Sequence, residues 1–266
     1  MSTTVVVGDF REKKDRLADG VAQLVFTDPP FNIGHPYVGF SDVMEGREYR
    51  TLISNIVQEA WRCLTPGGRF CMHVPDEVVL PVLEDARFWG MLPSDWIVWH
   101  YRFGQCGKTK YINSKCHLLT FLKPGGVPVW NPDDVLVASD RASTYEDPRT
   151  KETATPGKRV PLDVWGIPSD GPYWGRVQGN SKERRSVKNG ALVDHPNQLP
   201  EVYLERVIRG WTNPGDLVVD FCGGSGTTAV VAKALGRASC TFEISSDNAA
   251  SIMQRLEKGA VRVPSY

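Results

Sequence analysis

The segment Asp220-Phe221-Cys222-Gly223-Gly224-Ser225-Gly226-Thr227-Thr228 follows a short apolar run, Leu217 to Asp220, and opens a helical pattern that reaches about Leu235. Strand, glycine-rich turn and helix in that order are half of a parallel crossover, because a buried strand that feeds a helix must return to the same sheet. The rest of the chain carries the same alternation. Val5 to Val7 reads as a short buried strand ending at Gly8-Asp9, and Gln23 to Thr27 as another, stopped by Asp28-Pro29-Pro30. From 46 to 64, Tyr49, Leu52, Ile53, Ile56, Val57, Ala60, Trp61 and Leu64 recur at spacings of three and four, which predicts an amphipathic helix. Thr65-Pro66-Gly67-Gly68 then predicts a turn into a strand at Arg69 to Val74, with further strands at Trp96 to Tyr101 and His117 to Leu122. After an irregular middle, a helix is expected from Pro200 to Trp211, a strand from Ser239 to Glu243 and a last helix from about Asp247 to Lys258.

These elements predict an α/β fold: a doubly wound, mostly parallel, Rossmann-like sheet. In such sheets ligands bind outside the carboxyl ends of the strands. Gly8-Asp9, Asp28-Pro29-Pro30-Phe31, Asp220 to Thr228 and Glu243 all follow predicted strands, so residues from opposite ends of the chain should meet at one edge. The 266 residues suffice for one large domain with an insert. Prolines, glycines and charges crowd 125–194 and periodicity fails there. The expected division is therefore a catalytic half at 1–124, an irregular insert at 125–194 and a second half of the same domain at 195–266.

Composition narrows the setting. No run approaches the ~20 apolar residues of a membrane helix. The first residues lack a basic segment followed by an apolar run, so no signal peptide is read and the cytoplasm is expected. The six cysteines form no C-x-x-C pair and read as buried free thiols; Cys106, Cys116 and His117 lack the spacing of a zinc site, and no metal is expected. Net charge is +0, yet the charge is unevenly spread. Between Tyr101 and Asn131 stand Arg102, Lys108, Lys110, Lys115 and Lys123 with no acid. Between Arg176 and Lys188 stand Arg176, Lys182, Arg184, Arg185 and Lys188 against Glu183 alone. Such runs are candidate phosphate contacts.

Two motifs carry chemistry. Glycines in the 220–228 turn let backbone approach a ligand, and Glu243 at the end of the next strand can accept both hydroxyls of a ribose. Gly224 to Ala229 also fits the dinucleotide pattern G-x-G-x-x-A, but too little chain follows it for a full dinucleotide fold. The second motif is Asp28-Pro29-Pro30-Phe31, directly after a strand. Its prolines remove two amide donors and stiffen the backbone. The Asp28 carboxylate and Pro29 carbonyl can then stand as fixed acceptors for the two N–H bonds of a planar amine, with Phe31 as a stacking face.

With both motifs in one chain, the sequence resembles the beta group of DNA amino-methyltransferases, in which a catalytic Asp-Pro-Pro-aromatic motif precedes the S-adenosylmethionine loop. The resemblance covers about 1–124 and 160–258. It is carried also by Gly8-Asp9, by Leu64-Thr65-Pro66-Gly67-Gly68, by His195-Pro196-Asn197-Gln198-Leu199-Pro200, which is similar to the family's His-Pro-x-Gln-Lys-Pro, and by Asn213 through Thr228. Departures are Leu199 for the usual lysine, Cys222 for the usual phenylalanine and Thr241 for a common glycine. The resemblance implies S-adenosyl-L-methionine as cofactor. Its contacts would be Gly8, Asp9, Asp28, His195, Asn197, Gln198, Asp220, Phe221, Cys222, Gly224, Ser225, Gly226, Thr227, Thr228 and Glu243, with catalysis at Asp28, Pro29, Pro30 and Phe31. It implies direct methyl transfer to a flipped-out base in double-stranded DNA, without metal or covalent nucleophile. Asp-Pro-Pro usually accompanies adenine N6 in this family and Ser-Pro-Pro cytosine N4, so adenine is expected.

On that reading Lys108, Lys110, Lys115, Arg176, Lys182, Arg184 and Arg185 become the expected DNA contacts, while Trp165, Tyr173 and Trp174 pack the insert against the core. The insert is short, so a short recognition site or help from a second subunit, as in a homodimer, is expected. Rivals are N4-cytosine methylation, methylation of RNA or a protein amide, a non-catalytic DNA-binding homologue and a nicotinamide-dependent oxidoreductase. Restriction–modification, phage and regulatory settings all remain open.

Overall fold

The structure, a computed structural model, describes residues 2–37, 40–101, 108–109, 111–177, 181–184, 186–188, 191–193 and 197–263. In chain order its main elements are β1 (Thr3–Val7), β2 (Ala22–Thr27), α1 (Gly46–Cys63), β3 (Leu64–Val74), α2 (Asp76–Phe88), β4 (Leu92–His100), β5 (Lys115–Leu122), β6 (Val164–Trp165), α3 (Glu201–Trp211), β7 (Leu217–Asp220), α4 (Thr227–Ala234), β8 (Ala238–Glu243) and α5 (Ser246–Lys258). Among the described residues the eight strands form one sheet in the order β1-β8-β7-β2-β3-β5-β4-β6. Only β5 runs against the others, antiparallel to both β3 and β4. The expected mostly parallel, doubly wound sheet is therefore present, and the carboxyl ends of β1, β8, β7, β2 and β3 share one edge.

Two-residue alternation sorts the strand side chains into two layers. Val25, Phe70, Met72, Val219 and Phe242 pack with Ile53, Ile56, Val57 and Ala60 of α1 and Val78 and Val82 of α2. Leu24, Phe26, Cys71, Leu118 and Val218 face Tyr203, Leu204, Val207 and Ile208 of α3 and Val231 and Ala232 of α4. Burying side chains of this size stabilises by roughly 1.5–3 kcal/mol each, and helices on both faces are what commit the strands to near-continuous apolar runs.

Several details depart from the sequence reading. The expected turn at Thr65-Pro66-Gly67-Gly68 is a bulge inside β3: Leu64 pairs with Ala22 and Arg69 with Leu24, so those four residues swell out opposite Gln23. Gly67 has φ +81, and a Cβ there would lie 2.7 Å from the Val127 carbonyl oxygen. Helix α2 was not anticipated, because Pro81 stands inside it where proline normally breaks a helix. Pro200 caps α3 rather than filling its first turn; lacking a side-chain acceptor, it leaves the Glu201 amide to the Glu183 carboxylate at 2.9 Å.

The segment 125–194 contains short ribbons and helical turns, and it also supplies β6 to the sheet edge, with Trp165 paired to Trp99. Trp165 and Trp174 are buried against Tyr203, as the sequence reading anticipated for those two, whereas Tyr173 is exposed. Arg206 lies between the two indoles, 5.1 Å from the Trp165 ring and 4.0 Å from that of Trp174, and pairs with Asp170 at 2.9 Å. No described helix is long and apolar enough to cross a membrane.

Candidate active site

At the end of β7 the chain leaves the sheet through the glycine turn. The Gly223 amide donates to the Phe242 carbonyl at 2.8 Å and the Gly226 amide to that of Gly223 at 2.7 Å. Gly226, with φ +75, caps α4. A Cβ on it would lie 2.8 Å from Ile252, and one on Gly223 2.5 Å from Thr241, so both glycines let the turn sit close to its neighbours. Glu243, at the end of β8, accepts the Gly224 amide at 2.7 Å on one oxygen and the Ser245 amide at 2.9 Å on the other. The Asn248 side-chain amide also donates to the second oxygen, at 3.3 Å. A carboxylate has about four lone-pair sites, so some acceptor capacity remains after these three bonds. Burial nevertheless pushes the Glu243 carboxyl up. Beside it, the Gly8 amide donates to the Glu243 carbonyl at 2.9 Å. Arg11 grips Asp9; burial works upward on that carboxyl, but the Arg11 hydrogen bonds outweigh it and hold it below the usual range.

The second half of the site comes from β2. Tyr49 of α1 donates its hydroxyl to the Pro30 carbonyl at 3.0 Å. Among the described residues nothing hydrogen-bonds to the Pro29 carbonyl or the Asp28 carboxylate. The segment is then locked by Asp42, whose carboxylate accepts the amides of Asn32, Ile33 and His35 at 2.8, 3.1 and 3.0 Å. Asn32 itself takes a left-handed φ of 56 and exchanges two hydrogen bonds with Met44. Burial pushes Asp28 well above the ordinary carboxylate range; Asp220 pushes it further, and Arg176 pulls it back. Asp220 is pushed up to about 6, first by burial. Burial raises the Cys222 thiol well above its usual value, which disqualifies it as a thiolate nucleophile at neutral pH.

The two halves meet. Every described residue expected at a catalytic or cofactor position lines one open cleft of about 1340 Å³, except Gly226, which lies behind the turn as the α4 cap. Gln198 is buried in its wall with Nε2 donating to the Glu183 carbonyl at 2.8 Å, while its Oε1 has no partner among the described residues. His195 lies outside the described residues, as do Lys110 and Arg185. Of the expected DNA contacts, Arg176 points into the cleft: it is 5.2 Å above the Tyr101 ring and donates to Asn197 Oδ1 at 2.5 Å. Lys115 pairs with Asp76, Lys108 and Lys182 are exposed, and Arg184 is half-buried. Sequence reasoning missed Asp42, Tyr49, His73 and Tyr101, which meet the motif only through the fold. It also missed Arg255, which donates to the Ser225 carbonyl at 2.6 Å and steadies the glycine turn from α5.

A doubly wound sheet bearing this cleft has the architecture of a methyltransferase. The sequence profile of a family described as DNA methylase matches residues 22–254, and the chain belongs to that family. Over 260 residues it is 27% identical to DNA adenine methyltransferase YhdJ of Escherichia coli (strain K12), which covers 96% of this chain and 82% of the relative. The solved PvuII DNA methyltransferase (cytosine-N4-specific) superposes with a TM-score of 0.71 at 21% identity, over 95% of this chain and 87% of the other. TTHA0409 of Thermus thermophilus, in its complex with S-adenosyl-L-methionine, gives a TM-score of 0.62 at 20% identity over 99% and 96%. At such identities the two structures share the fold.

Proposed function

We infer that this methylase transfers the methyl group of S-adenosyl-L-methionine to the exocyclic amine of a flipped-out base in double-stranded DNA, and that the base is adenine, methylated at N6. The observation that carries the reading is the pair of unspent acceptors, the Asp28 carboxylate and Pro29 carbonyl, opening into the same cleft as the glycine turn.

The cleft fits the cofactor by its chemistry. S-adenosylmethionine carries a sulfonium and an ammonium, and the wall offers Asp28, Asp220 and Glu243, with Gln198 Oε1 buried in it without a described partner. Of the arginines that line it, Arg11 is already committed to Asp9. The pyrophosphate of a nicotinamide cofactor would meet those carboxylates, which disfavours that rival. Glu243 would take the ribose hydroxyls, Gly8 and Asp9 would flank the adenine, and Gln198 and the 224–228 turn would hold the methionyl end. Bound there, the cofactor supplies an electrophilic methyl group.

An amine conjugated with a purine ring is a weak nucleophile. Asp28 and the Pro29 carbonyl would hold its two N–H bonds, favour the pyramidal nitrogen and take up its developing positive charge. Phe31 stacks the extruded ring, and Asp42 and Tyr49 fix the loop so that the acceptors are in place before the base arrives. Extrusion costs a few kcal/mol, which contacts to phosphate offset. Lys108, Lys110, Lys182, Arg184 and Arg185 are proposed for that task, with 125–194 as the target-recognition insert and 1–124 with 195–266 as the methyltransferase domain. Asp28 at the head of the motif and the adenine-methylating relative support adenine.

The test is incubation with isotope-labelled S-adenosylmethionine and unmodified DNA, followed by digestion and mass spectrometry of the nucleosides. Labelled N6-methyladenine is the expected product. N4-methylcytosine would retain the mechanism and reverse the base; label in no deoxynucleoside would overturn the DNA reading.

A further inference from the structure

β2 and β3 run parallel with Thr27 opposite Met72, so the next residues, Asp28 just past the end of β2 and His73 in the last pairs between β3 and β5, lie side by side at the carboxyl edge. Both line the cleft. The His73 ring stacks 6.1 Å from that of Phe31 with the planes 27° apart. A second residue of the catalytic edge therefore stands where the base must enter, and the amine chemistry leaves it without a role.

The ring's proton can be placed. Nδ1 lies 3.0 Å from the hydroxyl of Tyr203, which is fully buried among Phe26, Trp99, Trp165 and Trp174. That hydroxyl has no other described partner. Were it to accept from Nδ1, its own proton would be a buried orphan donor; donating to Nδ1 satisfies it. Nε2 then carries the imidazole proton. Burial, with His117 and Arg176 adding to it, lowers the ring to about 3, so it stays neutral. Nε2 is paired with no described residue, and it is not among the sealed, unpartnered atoms of the interior.

We propose that His73 Nε2–H donates a hydrogen bond to a ring nitrogen beside the target amine, making His73 a base-recognition residue. The inference rests on the amine reading above. An adenine seated with both N6 hydrogens on Asp28 and Pro29 presents N1 on one side of the amine and N7 on the other, and both are acceptors only. A neutral donor holds such a nitrogen without giving it a proton. An imidazolium would draw charge from the ring and weaken the amine as a nucleophile.

The experiment pairs base analogues with variants. Duplexes carrying the mapped site with adenine, 1-deazaadenine or 7-deazaadenine at the target are methylated by the wild type, His73→Phe and His73→Gln. The wild type should lose about 10- to 100-fold in kcat/KM on one analogue. His73→Phe should lose a similar factor on adenine and nothing further on that analogue, while His73→Gln, which retains an N–H donor, recovers part of the discrimination. The analogue that shows the coupling names the atom. Equal losses on both analogues in wild type and variants would overturn the proposal, because a packing role cannot tell a ring nitrogen from a CH. Should His73→Phe fail to fold, Tyr203→Phe, which retains the imidazole and frees its tautomer, should weaken the same discrimination, and no change there would also overturn it. A wild type that leaves ordinary adenine unmethylated would instead remove the amine reading, and this proposal with it.

Discussion

Asp42 takes the backbone amide of Asn32 on one carboxylate oxygen at 2.8 Å, ten residues back along the chain. Its other oxygen holds Ile33 and His35 at 3.1 and 3.0 Å, so one side chain, 2% exposed, closes the loop that follows the Asp28–Phe31 segment. Hydrogen bonds to a charged group contribute about 1.5–3 kcal/mol each. Asp42→Ala should therefore release Asn32 from its left-handed conformation and lower the single-turnover rate by about 10- to 100-fold. The glycine turn is untouched, so cofactor affinity by calorimetry should change by less than about threefold, a shift of roughly 0.6 kcal/mol. A variant that loses cofactor and rate together would place Asp42 in general stability.

Asp28 and Asp220 should give the reaction an unusual acid limb. Burial and repulsion from Asp220 raise Asp28, and Arg176 opposes them. A carboxyl group takes up the developing positive charge of the amine only when it is ionised. The pH profile of kcat/KM should therefore rise through a limb above the ordinary carboxylate range and then flatten. Arg176→Gln removes the opposing charge and should move that limb to higher pH; movement to lower pH would contradict the assignment.

The same burial has a cost in stability. Asp220 has a folded value of about 6 against an ordinary 3.8. Between those values the folded state retains a proton that the unfolded chain has released, so stability falls as pH rises through the window and then levels. Asp220→Asn, which can still accept the Cys222 amide, should be more stable than wild type at pH 7 by about 3 kcal/mol. The difference should vanish near pH 4, and melting temperatures across that range check it.

Arg255 links the last helix to the glycine turn. It donates to the Ser225 carbonyl at 2.6 Å and the Thr227 hydroxyl at 3.1 Å, and it pairs with Glu201 at 3.3 Å. Arg255→Met leaves a fully buried Glu201 with only the Val261 and Arg262 amides among the described residues. A loss of about 3 kcal/mol in denaturant unfolding is expected, together with weaker cofactor binding. Glu201→Gln combined with Arg255→Met should recover part of the stability and none of the affinity.

What the sequence revealed depends on contiguity. Asp28-Pro29-Pro30-Phe31, the 220–228 turn and Glu243 each lie beside a strand, and a parallel sheet brings strand ends to one edge, so their meeting could be read from the chain. Asp42 and Tyr49 meet the motif only across a folded loop, and no local pattern marks them. Arg176 and Lys115 looked alike as cations in basic runs; the fold turns one over the Tyr101 ring in the cleft and pairs the other with Asp76. Helix α2 was hidden by Pro81, and β6 by having only two residues, Val164 and Trp165, at the sheet edge.

Asp28 is the acceptor proposed to make the amine reactive. The most direct measurement is single-turnover methyl transfer from labelled S-adenosylmethionine to duplex DNA by Asp28→Asn, with cofactor and DNA binding measured on the same samples. The side chain retains its size and one acceptor but loses its charge. A fall of about 10²- to 10³-fold in rate, with both ligands still bound, is the predicted result. Transfer at the wild-type rate by a variant that binds both would contradict it.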